Sequence, residues 1–332
     1  MDILVTGGTG FLGKRLCQLL AEQGHQVRAL CRREAQFKEF QHPNITPFLG
    51  NLNSPESLEE ATKGVQQVYH LAALASDWAA DPRIFYKVNF EATLHLLDAA
   101  HKNGVERTVV TSTMGTIGPP DPGNVHPVDE EHIRWVDFFT DYEVSKSLLE
   151  ERIGHRVRRG ENIVVTNPTR IFGPGVYDRK NGLIILMDHF LNRPFAVAPG
   201  VKEVIGNYVY VDDVAWGHIH AMEKGRTGEK YILGGHNLSF GQFFEHLREV
   251  SEKKGRVIRI PFGVIKLMAV WGGFMAKAFK KQPMVTHTYL RKIKYDWPVS
   301  SAKATEELGY EISPLNESLQ NTLDWLNEYK KG

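Results

Sequence analysis

The chain has 332 residues, of which 42% are hydrophobic and 24% are charged, and its formal net charge is +1. This composition is typical of a soluble globular protein with one large domain or two smaller ones. A net charge this close to zero argues against nucleic acid or another strongly charged partner. The first residues enter a predicted strand without a basic and apolar leader, so we expect a cytoplasmic protein.

The first half of the sequence alternates short β-branched runs with amphipathic segments. The apolar residues of these segments recur at helical spacing, which ends at glycine or at Asn103-Gly104. The predicted strands are Ile3–Val5, Val27–Leu30, Ile45–Leu49, Val68–Leu71, Thr108–Thr111 and Ile163–Thr166, and the predicted helices are Phe11–Gln23, one from Pro55, Pro82–Lys102 and one around Tyr142. This alternation predicts an α/β fold with a Rossmann-type, doubly wound parallel sheet.

The second half of the sequence is less regular, and a loop rich in glycine and proline follows Asn167-Pro168. Beyond it we predict a helix near Gly182–Leu191, a strand at Val209–Val211, a helix from Val214 and a strand at Lys230–Leu233. Both strands are predicted to return to the sheet. We therefore expect a dinucleotide-binding domain over residues 1–170, rejoined at about 206–235, and a smaller, mostly helical substrate lobe over 171–205 and 236–332.

A glycine-rich turn lies between the first predicted strand and the first predicted helix. Its sequence, Thr6-Gly-Gly-Thr-Gly-Phe-Leu-Gly13, contains both Gly7-x-x-Gly10-x-x-Gly13 and Gly8-x-Gly10-x-x-Gly13. Glycines at these positions permit a tight turn and let a pyrophosphate approach the backbone N–H groups at the start of the helix. The turn therefore predicts a dinucleotide site.

The end of the second strand indicates which dinucleotide binds. An acidic residue there would bind the ribose 2′-hydroxyl of NAD, whereas an arginine accommodates the 2′-phosphate of NADP. The strand ends in Cys31-Arg32-Arg33, and a planar guanidinium suits phosphate oxygens. We predict that Arg32 makes NADP(H) preferred over NAD(H), the alternative being that Arg32 is an ordinary solvated side chain.

Tyr142 and Lys146 lie four residues apart and therefore share one face of a predicted helix. An ammonium group beside a phenol, whose unperturbed pKa is about 10, would lower that pKa and make the phenol a usable proton donor near neutrality. Together with the glycine turn, this pair predicts proton chemistry beside a nicotinamide, and hence an oxidoreductase.

With these motifs the chain resembles the extended short-chain dehydrogenases/reductases. Within that superfamily it is most similar to the dihydroflavonol-4-reductase-like branch, close to bacterial hopanoid-associated sugar epimerase-like proteins, and the similarity runs nearly end to end. Further matching segments are His70-Leu-Ala-Ala73, Val88-Asn89, Thr111-Ser-Thr113, Asn167-Pro168, Gly173-Pro174 and Tyr210-Val-Asp-Asp-Val-Ala215.

The resemblance implies roles for individual residues. Thr113 would hydrogen-bond the substrate oxygen, Tyr142 would donate or accept the proton, and Lys146 would bind the nicotinamide ribose. Asn51 stands where the family usually has an aspartate against the adenine. The implied cofactor-binding residues are Gly7, Gly10, Phe11, Leu12, Gly13, Arg32, Asn51, Leu52, Leu71, Ala72, Ala73, Tyr142, Lys146, Pro168 and Ile171. Relatives often dimerise through two helices of this domain, which implies a homodimer.

Three functions are open at this point. The leading one is an NADP(H)-dependent oxidoreductase that reduces a ketone or aldehyde, or oxidises the alcohol, of a small and apolar substrate, with Tyr142 as general acid/base. A nucleotide-sugar epimerase with bound NAD would use the same three residues, but Arg32 argues against it. A non-catalytic NADP(H) sensor is the third, and the intact set of Thr113, Tyr142 and Lys146 argues against that.

Aromatic residues near these motifs have two interpretations. Trp78, Phe138 and Phe139 could form the wall of an apolar substrate pocket, or they could be ordinary packing residues. The apolar segment Phe262–Phe279 predicts a core or lid helix, and the less favoured alternative is a membrane-surface helix that admits a lipid-like substrate.

Histidines and cysteines give no metal-binding pattern. His218 and His220 face different directions on a predicted helix, so we predict that they are ordinary histidines and that the protein has no metal site. Cys17 and Cys31 lack Cys-x-x-Cys spacing, and we expect buried, reduced thiols.

Overall fold

Seven parallel strands form the central sheet of the computed structural model, which describes residues 1–124, 126–177, 181–192, 195–200, 204–251, 256–279 and 287–330. The strands, in chain order, are β1 Asp2–Thr6, β2 Gln26–Cys31, β3 Ile45–Leu49, β4 Gln67–His70, β5 Arg107–Thr111, β6 Ile163–Pro168, β7 Arg170–Phe172, β8 Phe195–Gly200, β9 Ile205–Tyr210, β10 Lys230–Leu233, β11 His236–Ser239 and β12 Arg256–Pro261.

The helices, in the same order, are α1 Phe11–Glu22, α2 Pro55–Thr62, α3 Arg83–Phe85, α4 Ala92–Lys102, α5 Asp141–Val157, α6 Gly182–Asn192, α7 Val211–Lys224, α8 Phe240–Ser251, α9 Phe262–Phe279, α10 His287–Lys292, α11 Ala302–Leu308 and α12 Leu315–Tyr329. Short 3₁₀ segments cover Glu34–Glu39 and Met114–Thr116. A π-helical turn over Tyr86–Glu91 joins α3 to α4, so the predicted helix over 82–102 is interrupted by one wider turn.

The strand order of the central sheet is β10-β6-β5-β4-β1-β2-β3. The chain leaves β1 towards β2 and β3 on one side and later returns to β4 on the other. Thr6 at the end of β1 is in register with Leu30 of β2 and with His70 of β4. Ligands of such sheets bind outside the carboxyl ends of the strands where the order reverses, which here is between β1 and β4.

Helices cover the central sheet on both faces. Ile3 and Val5 of β1 are buried in one cluster with Leu16 of α1, whereas Leu4 is buried in a second cluster with Leu58 of α2. Successive residues of a strand point to opposite faces, so the two clusters lie on opposite sides of the sheet. The predicted doubly wound α/β fold is confirmed.

Two smaller sheets belong to the second part of the chain. β7, β9 and β11 form one, in which β9 is parallel to β7 and antiparallel to β11, and β8 pairs with β12 in the other. The strand predicted at Val209 therefore exists, but its predicted return to the central sheet is wrong, because β9 is hydrogen-bonded to β7 and β11 instead. β10 does join the central sheet, beside β6. Val211, predicted to end that strand, begins α7.

His218 and the two cysteines are buried within this fold. The Nδ1 of His218 donates to the Val214 carbonyl (2.7 Å), and its Nε2 lies 2.8 Å from the Thr111 hydroxyl. Burial lowers the pKa of His218 to about 4, so the imidazole is neutral and structural. Cys17 and Cys31 are buried free thiols, as predicted.

The described ranges of the chain contain neither a helix that could span a membrane nor a group of metal-ligating side chains. None of the helices there combines the length and hydrophobicity needed to cross a bilayer. Nor do any three His, Cys, Asp or Glu side chains in those ranges group as metal ligands would.

Candidate active site

The glycine turn packs against the segment that follows β4. Gly7 has a φ of +77°, and a Cβ atom there would lie 2.7 Å from the backbone nitrogen of Ala72. A Cβ atom at Gly13 would lie 2.1 Å from the Gly7 carbonyl oxygen, so α1 can start this close to β1 only without a side chain. The turn and the segment from Leu71 to Ala73 therefore lie in contact at the carboxyl edge of the sheet.

The N-terminus of α1 fits a pyrophosphate. Gly10 is the N-cap residue, its N–H donates to the Gly7 carbonyl (2.8 Å), and it has no side chain that could accept from the N–H groups of the first turn. That turn begins Phe11-Leu12-Gly13 and carries no acidic residue. Backbone donors at the positive end of a helix dipole suit an anionic ligand, and a glycine N-cap gives it room.

Arg32 lies beside this turn at the end of β2. Its backbone N–H donates to Gln36 Oε1 (3.1 Å), and Gln36 Nε2 donates to the Thr9 hydroxyl in the glycine turn (3.2 Å). The side chain of Arg32 is exposed, and within the described part of the chain it has no carboxylate partner. Gln36 thus ties the loop that carries the free guanidinium to the cradle of the pyrophosphate.

The other predicted cofactor residues occupy positions around the same edge. Asn51 is exposed and its Oδ1 accepts from the Asn53 N–H (3.0 Å), so this acceptor already serves a local turn. Leu52 is half-buried against the cluster that contains Leu4 and Leu58. Pro168 is the last residue of β6, and Ile171 is half-buried in β7.

Thr113, Tyr142 and Lys146 are brought together from β5 and α5. The Tyr142 hydroxyl faces the Thr113 side chain, whose hydroxyl acts to lower the pKa of the phenol. Lys146 is 1% exposed, and its Nζ donates to the Thr111 carbonyl oxygen (2.8 Å). Thr140 caps α5, because its hydroxyl accepts from the Glu143 N–H (3.0 Å), and this fixes the turn that carries Tyr142.

The profile of the NAD dependent epimerase/dehydratase family matches residues 3–234, well over half of the chain. The chain belongs to this family. A protein of Synechocystis sp. named dihydroflavonol 4-reductase is 31% identical, over 98% of this chain and 94% of that protein. The 4-hydroxy-2-methyl-3-oxo-4-farnesyl-3,4-dihydroquinoline-1-oxide ketoreductase of Stigmatella aurantiaca is 30% identical, over 93% of this chain and 92% of the ketoreductase. The solved structure of gox2253 is 32% identical and superimposes with a TM-score of 0.81, covering 99% and 98% of the two chains.

The family and the names of these relatives identify the protein as an NAD(P)-dependent oxidoreductase of the extended short-chain dehydrogenase/reductase type. The motif of this type is complete in the chain, and its threonine, tyrosine and lysine converge in the fold. The predicted membership is confirmed.

The electrostatics of the family's Tyr-Lys pair differ from the expectation. We predicted that Lys146 lowers the pKa of Tyr142. Burial instead raises that pKa well above its ordinary value, and the Thr113 side chain offsets the rise only in part. Burial also lowers the pKa of Lys146 to about 8. The prediction is wrong because it took the pair in isolation. Tyr142 is therefore a neutral phenol at physiological pH, which is the form that can donate a proton.

The pKa of Lys146 leads to a testable pH dependence. An ammonium stabilises the phenolate left by proton donation, and Lys146 loses its charge as pH rises through about 8. We expect kcat/KM for NADPH, which reports ionisations of the free enzyme, to fall above that pH. In Lys146→Arg the guanidinium stays protonated, so the decline should shift to higher pH. An identical decline in Lys146→Arg would assign it to another group.

A half-buried carboxylate on α5, Glu150, is hydrogen-bonded to residues at the ends of β5 and β6. Glu150 Oε1 accepts from the Thr116 hydroxyl (2.7 Å), from Asn167 Nδ2 (2.9 Å) and from the Ser112 hydroxyl. Asn167 Nδ2 also donates to the Thr113 carbonyl (3.0 Å). The Ser112 hydroxyl is thus used by Glu150, and Thr113 is the hydroxyl that faces the phenol.

An ion cluster that was not predicted from the sequence lies next to Tyr142. Lys292 Nζ, at the end of α10, lies 2.8 Å from Asp77 Oδ1 and 2.8 Å from Glu143 Oε1. Burial alone would lower the pKa of Lys292, but the two carboxylates outweigh it and raise that pKa. Glu143 also accepts from the Phe139 N–H (2.8 Å) and is 1% exposed. The cluster therefore links α10 to the turn of α5 that carries Tyr142.

Asn89 forms a second bridge, within the π-helical turn. Its Oδ1 accepts from the Leu74 N–H (2.7 Å), and its Nδ2 donates to the Ser145 hydroxyl (3.1 Å). π-helical turns are frequent at functional sites. Here the turn aims Asn89 so that it joins the segment after β4 to α5, which is a structural role.

The three aromatic candidates for substrate contact have different surroundings. Trp78 is half-buried, and its backbone N–H donates to the Ser76 hydroxyl (3.2 Å). Phe138 is half-buried beneath the Arg134 guanidinium, which lies 4.4 Å from the ring centroid. Phe139 is 5% exposed and packs with other aromatic rings in a core cluster. Its ring is used in packing, which leaves Trp78 and Phe138 as the candidates with free surface.

Proposed function

We propose that this protein is an NADP(H)-dependent reductase that reduces a ketone or aldehyde on a small, apolar molecule, with Tyr142 as the general acid. The observation that carries the proposal is that the Thr113 hydroxyl, the Tyr142 phenol and the buried Lys146 ammonium converge at the carboxyl end of β5. Two hydroxyls at one point can bind a carbonyl oxygen together, and one of them has a proton to give.

The residues of the chain divide the work of the reduction. NADPH, when bound, supplies the hydride. Thr113 and Tyr142 donate to the carbonyl oxygen and so favour the negative charge that develops on it. Tyr142 then transfers its proton as the alkoxide forms. Lys146, 1% exposed and one helical turn from Tyr142, stabilises the resulting phenolate.

The apolar character of the substrate has separate support. The ketoreductase of Stigmatella aurantiaca acts, by its name, on a ketone of a farnesyl-bearing quinoline oxide. In this chain, Phe138 precedes Tyr142 by four residues, and Trp78 follows Asp77 of the ion cluster beside Tyr142; both aromatic residues are half-buried and offer apolar surface. Long-chain or polycyclic ketones are therefore better candidates than sugar nucleotides.

The preference for NADP(H) is proposed on Arg32. A charge-assisted hydrogen bond is worth about 1.5–3 kcal/mol, and about 1.4 kcal/mol corresponds to tenfold in affinity. Arg32→Ala should therefore raise KM for NADPH by at least about tenfold and leave KM for NADH nearly unchanged. Arg159→Ala, an exposed arginine after α5, is the control for lost surface charge. Equal effects of Arg32→Ala on both cofactors would remove Arg32 from this role.

A substrate panel tests the reaction itself. We would identify any nucleotide that copurifies and then follow NADPH consumption with sterols, 3-keto lipids, flavanonols, aldehydes and sugar nucleotides. The proposal expects net NADPH oxidation with an apolar ketone. Label exchange within a sugar nucleotide without net NADPH loss would indicate an epimerase, and tight NADPH binding without any turnover would indicate a sensor.

A further inference from the structure

Helix α9 presents an apolar face to solvent. Val264, Leu267, Met268 and Trp271 recur at helical spacing and are 48%, 59%, 38% and 64% exposed. Large exposed apolar residues are ordinary when they are scattered, but a contiguous stripe on one helix marks an interaction surface. We call these four residues the α9 apolar face.

The opposite side of α9 is packed against the protein. Ile265 and Ala269 are 5% and 0% exposed and form a buried cluster with Leu290 of α10. The helix therefore already uses one face to attach itself to the fold. The α9 apolar face remains available to a partner.

The stretch of sequence that contains this helix carries charge of one sign, and within it Lys292 is paired with Asp77 and Glu143. Residues 253–295 contain eleven lysines and arginines and not one aspartate or glutamate. Because the whole chain has a net charge of +1, the rest of it carries −10. Lys266 of α9 is itself exposed. An apolar stripe within a basic segment is the pattern of helices that lie in the surface of an anionic membrane.

We propose that the α9 apolar face docks on the surface of a bilayer that contains anionic lipids. The leucine, methionine and valine side chains would enter the boundary between headgroups and acyl chains, and Trp271 would lie at the headgroup level that tryptophan prefers. The exposed basic residues of this stretch would attract the lipid phosphates.

The docked face would lie close to the catalytic residues. α9 packs on α10 through Leu290, and Lys292 at the end of α10 contacts Asp77 and Glu143 beside Tyr142. If the proposed function holds, an apolar substrate could pass from the bilayer surface to the site across a single helix. Docking itself does not depend on that function, and it is measured without any turnover.

Flotation with lipid vesicles tests the docking. The protein should float with vesicles of equal parts phosphatidylcholine and phosphatidylglycerol, float less with phosphatidylcholine alone, and be released by added salt. Leu267→Gln/Trp271→Gln, which keeps charge and helix propensity, should lower partitioning at least about tenfold. The matched control is Leu148→Gln/Trp216→Gln, at positions 39% and 38% exposed on α5 and α7, which should float like the wild type.

A second readout needs no change of hydrophobicity. Trp271→Phe should still float, but brominated acyl chains should quench less of its fluorescence than that of the wild type. The proposal is overturned if the wild type stays in the soluble fraction with both vesicles, or if Leu267→Gln/Trp271→Gln floats as the wild type does. It is also overturned if that variant only converts a self-associated protein into a smaller species in lipid-free sedimentation, which would make the face an interface between copies.

Discussion

Tyr142→Phe should lower kcat by at least about 100-fold while NADPH still binds, since general acid catalysis by a positioned side chain contributes roughly 10²–10⁴-fold. The substitution removes the phenolic hydroxyl that faces Thr113 and keeps the aromatic ring of residue 142. Single-turnover measurement of NADPH oxidation, together with a fluorescence titration of NADPH binding, separates the two effects.

Tyr86→Phe is a matched control for this variant. The Tyr86 hydroxyl donates to Asp141 Oδ1 (3.1 Å) at the start of the same helix, so its loss reports on α5 without touching the phenol of Tyr142. We expect its kcat to stay within a few-fold of the wild type. Retained turnover in Tyr142→Phe, or an equal loss in both variants, would remove Tyr142 from the role of general acid.

Gly13→Ala should weaken NADPH binding by at least about tenfold and destabilise the fold by about 1–3 kcal/mol, the usual range for overpacking. The added Cβ would lie 2.1 Å from the Gly7 carbonyl oxygen, so α1 must move away from the turn that cradles the pyrophosphate. Denaturant unfolding and NADPH titration measure the two quantities.

Gly154→Ala is the matched control for Gly13→Ala, because it makes the same change in a helix that has room for it. The nearest heavy atom to a Cβ at Gly154 is Nη1 of the flexible Arg158 side chain, at 3.7 Å. We expect unchanged NADPH binding and stability that is equal or higher by up to about 1 kcal/mol. Wild-type NADPH affinity in Gly13→Ala would show that the close approach of α1 to the turn is not needed for binding.

Local spacing made the dinucleotide half of the fold predictable. The glycines of residues 6–13 and the alternation of β-branched and amphipathic segments are both short-range patterns. The strands predicted from them, which correspond to β1–β6, all lie in the central sheet. The partner of a strand is a long-range property. β9 was predicted in the central sheet because its composition suits a buried strand, but composition does not say that β7 and β11 are its neighbours.

The electrostatics of the site could not be predicted for the same reason. Asp77, Glu143 and Glu150 all raise the pKa of Tyr142; the two glutamates share α5 with it, whereas Asp77 comes from the segment after β4. Lys292 is 215 residues from Asp77 in sequence, and no motif connects them. A motif identifies the groups that react, but only the fold identifies the burial and the charges that set their pKa values.

The bridges to α5 give the site a physical basis for precise geometry. Asn89 joins α5 to the segment after β4, and Lys292 joins the turn of Tyr142 to α10. Asn89 is fully buried, and Lys292 is held by two carboxylates, Asp77 and Glu143. Under the proposed function, the hydroxyls of Thr113 and Tyr142 would therefore be held in a fixed position for the carbonyl oxygen.

A crystal structure of the protein with NADP⁺ tests the central claim most directly. The account predicts the pyrophosphate against the N–H groups of Gly10 to Gly13, the 2′-phosphate at Arg32, and the Tyr142 hydroxyl and Lys146 ammonium beside the nicotinamide and its ribose. A nicotinamide bound away from Tyr142, or a pyrophosphate bound anywhere other than at the start of α1, would contradict it.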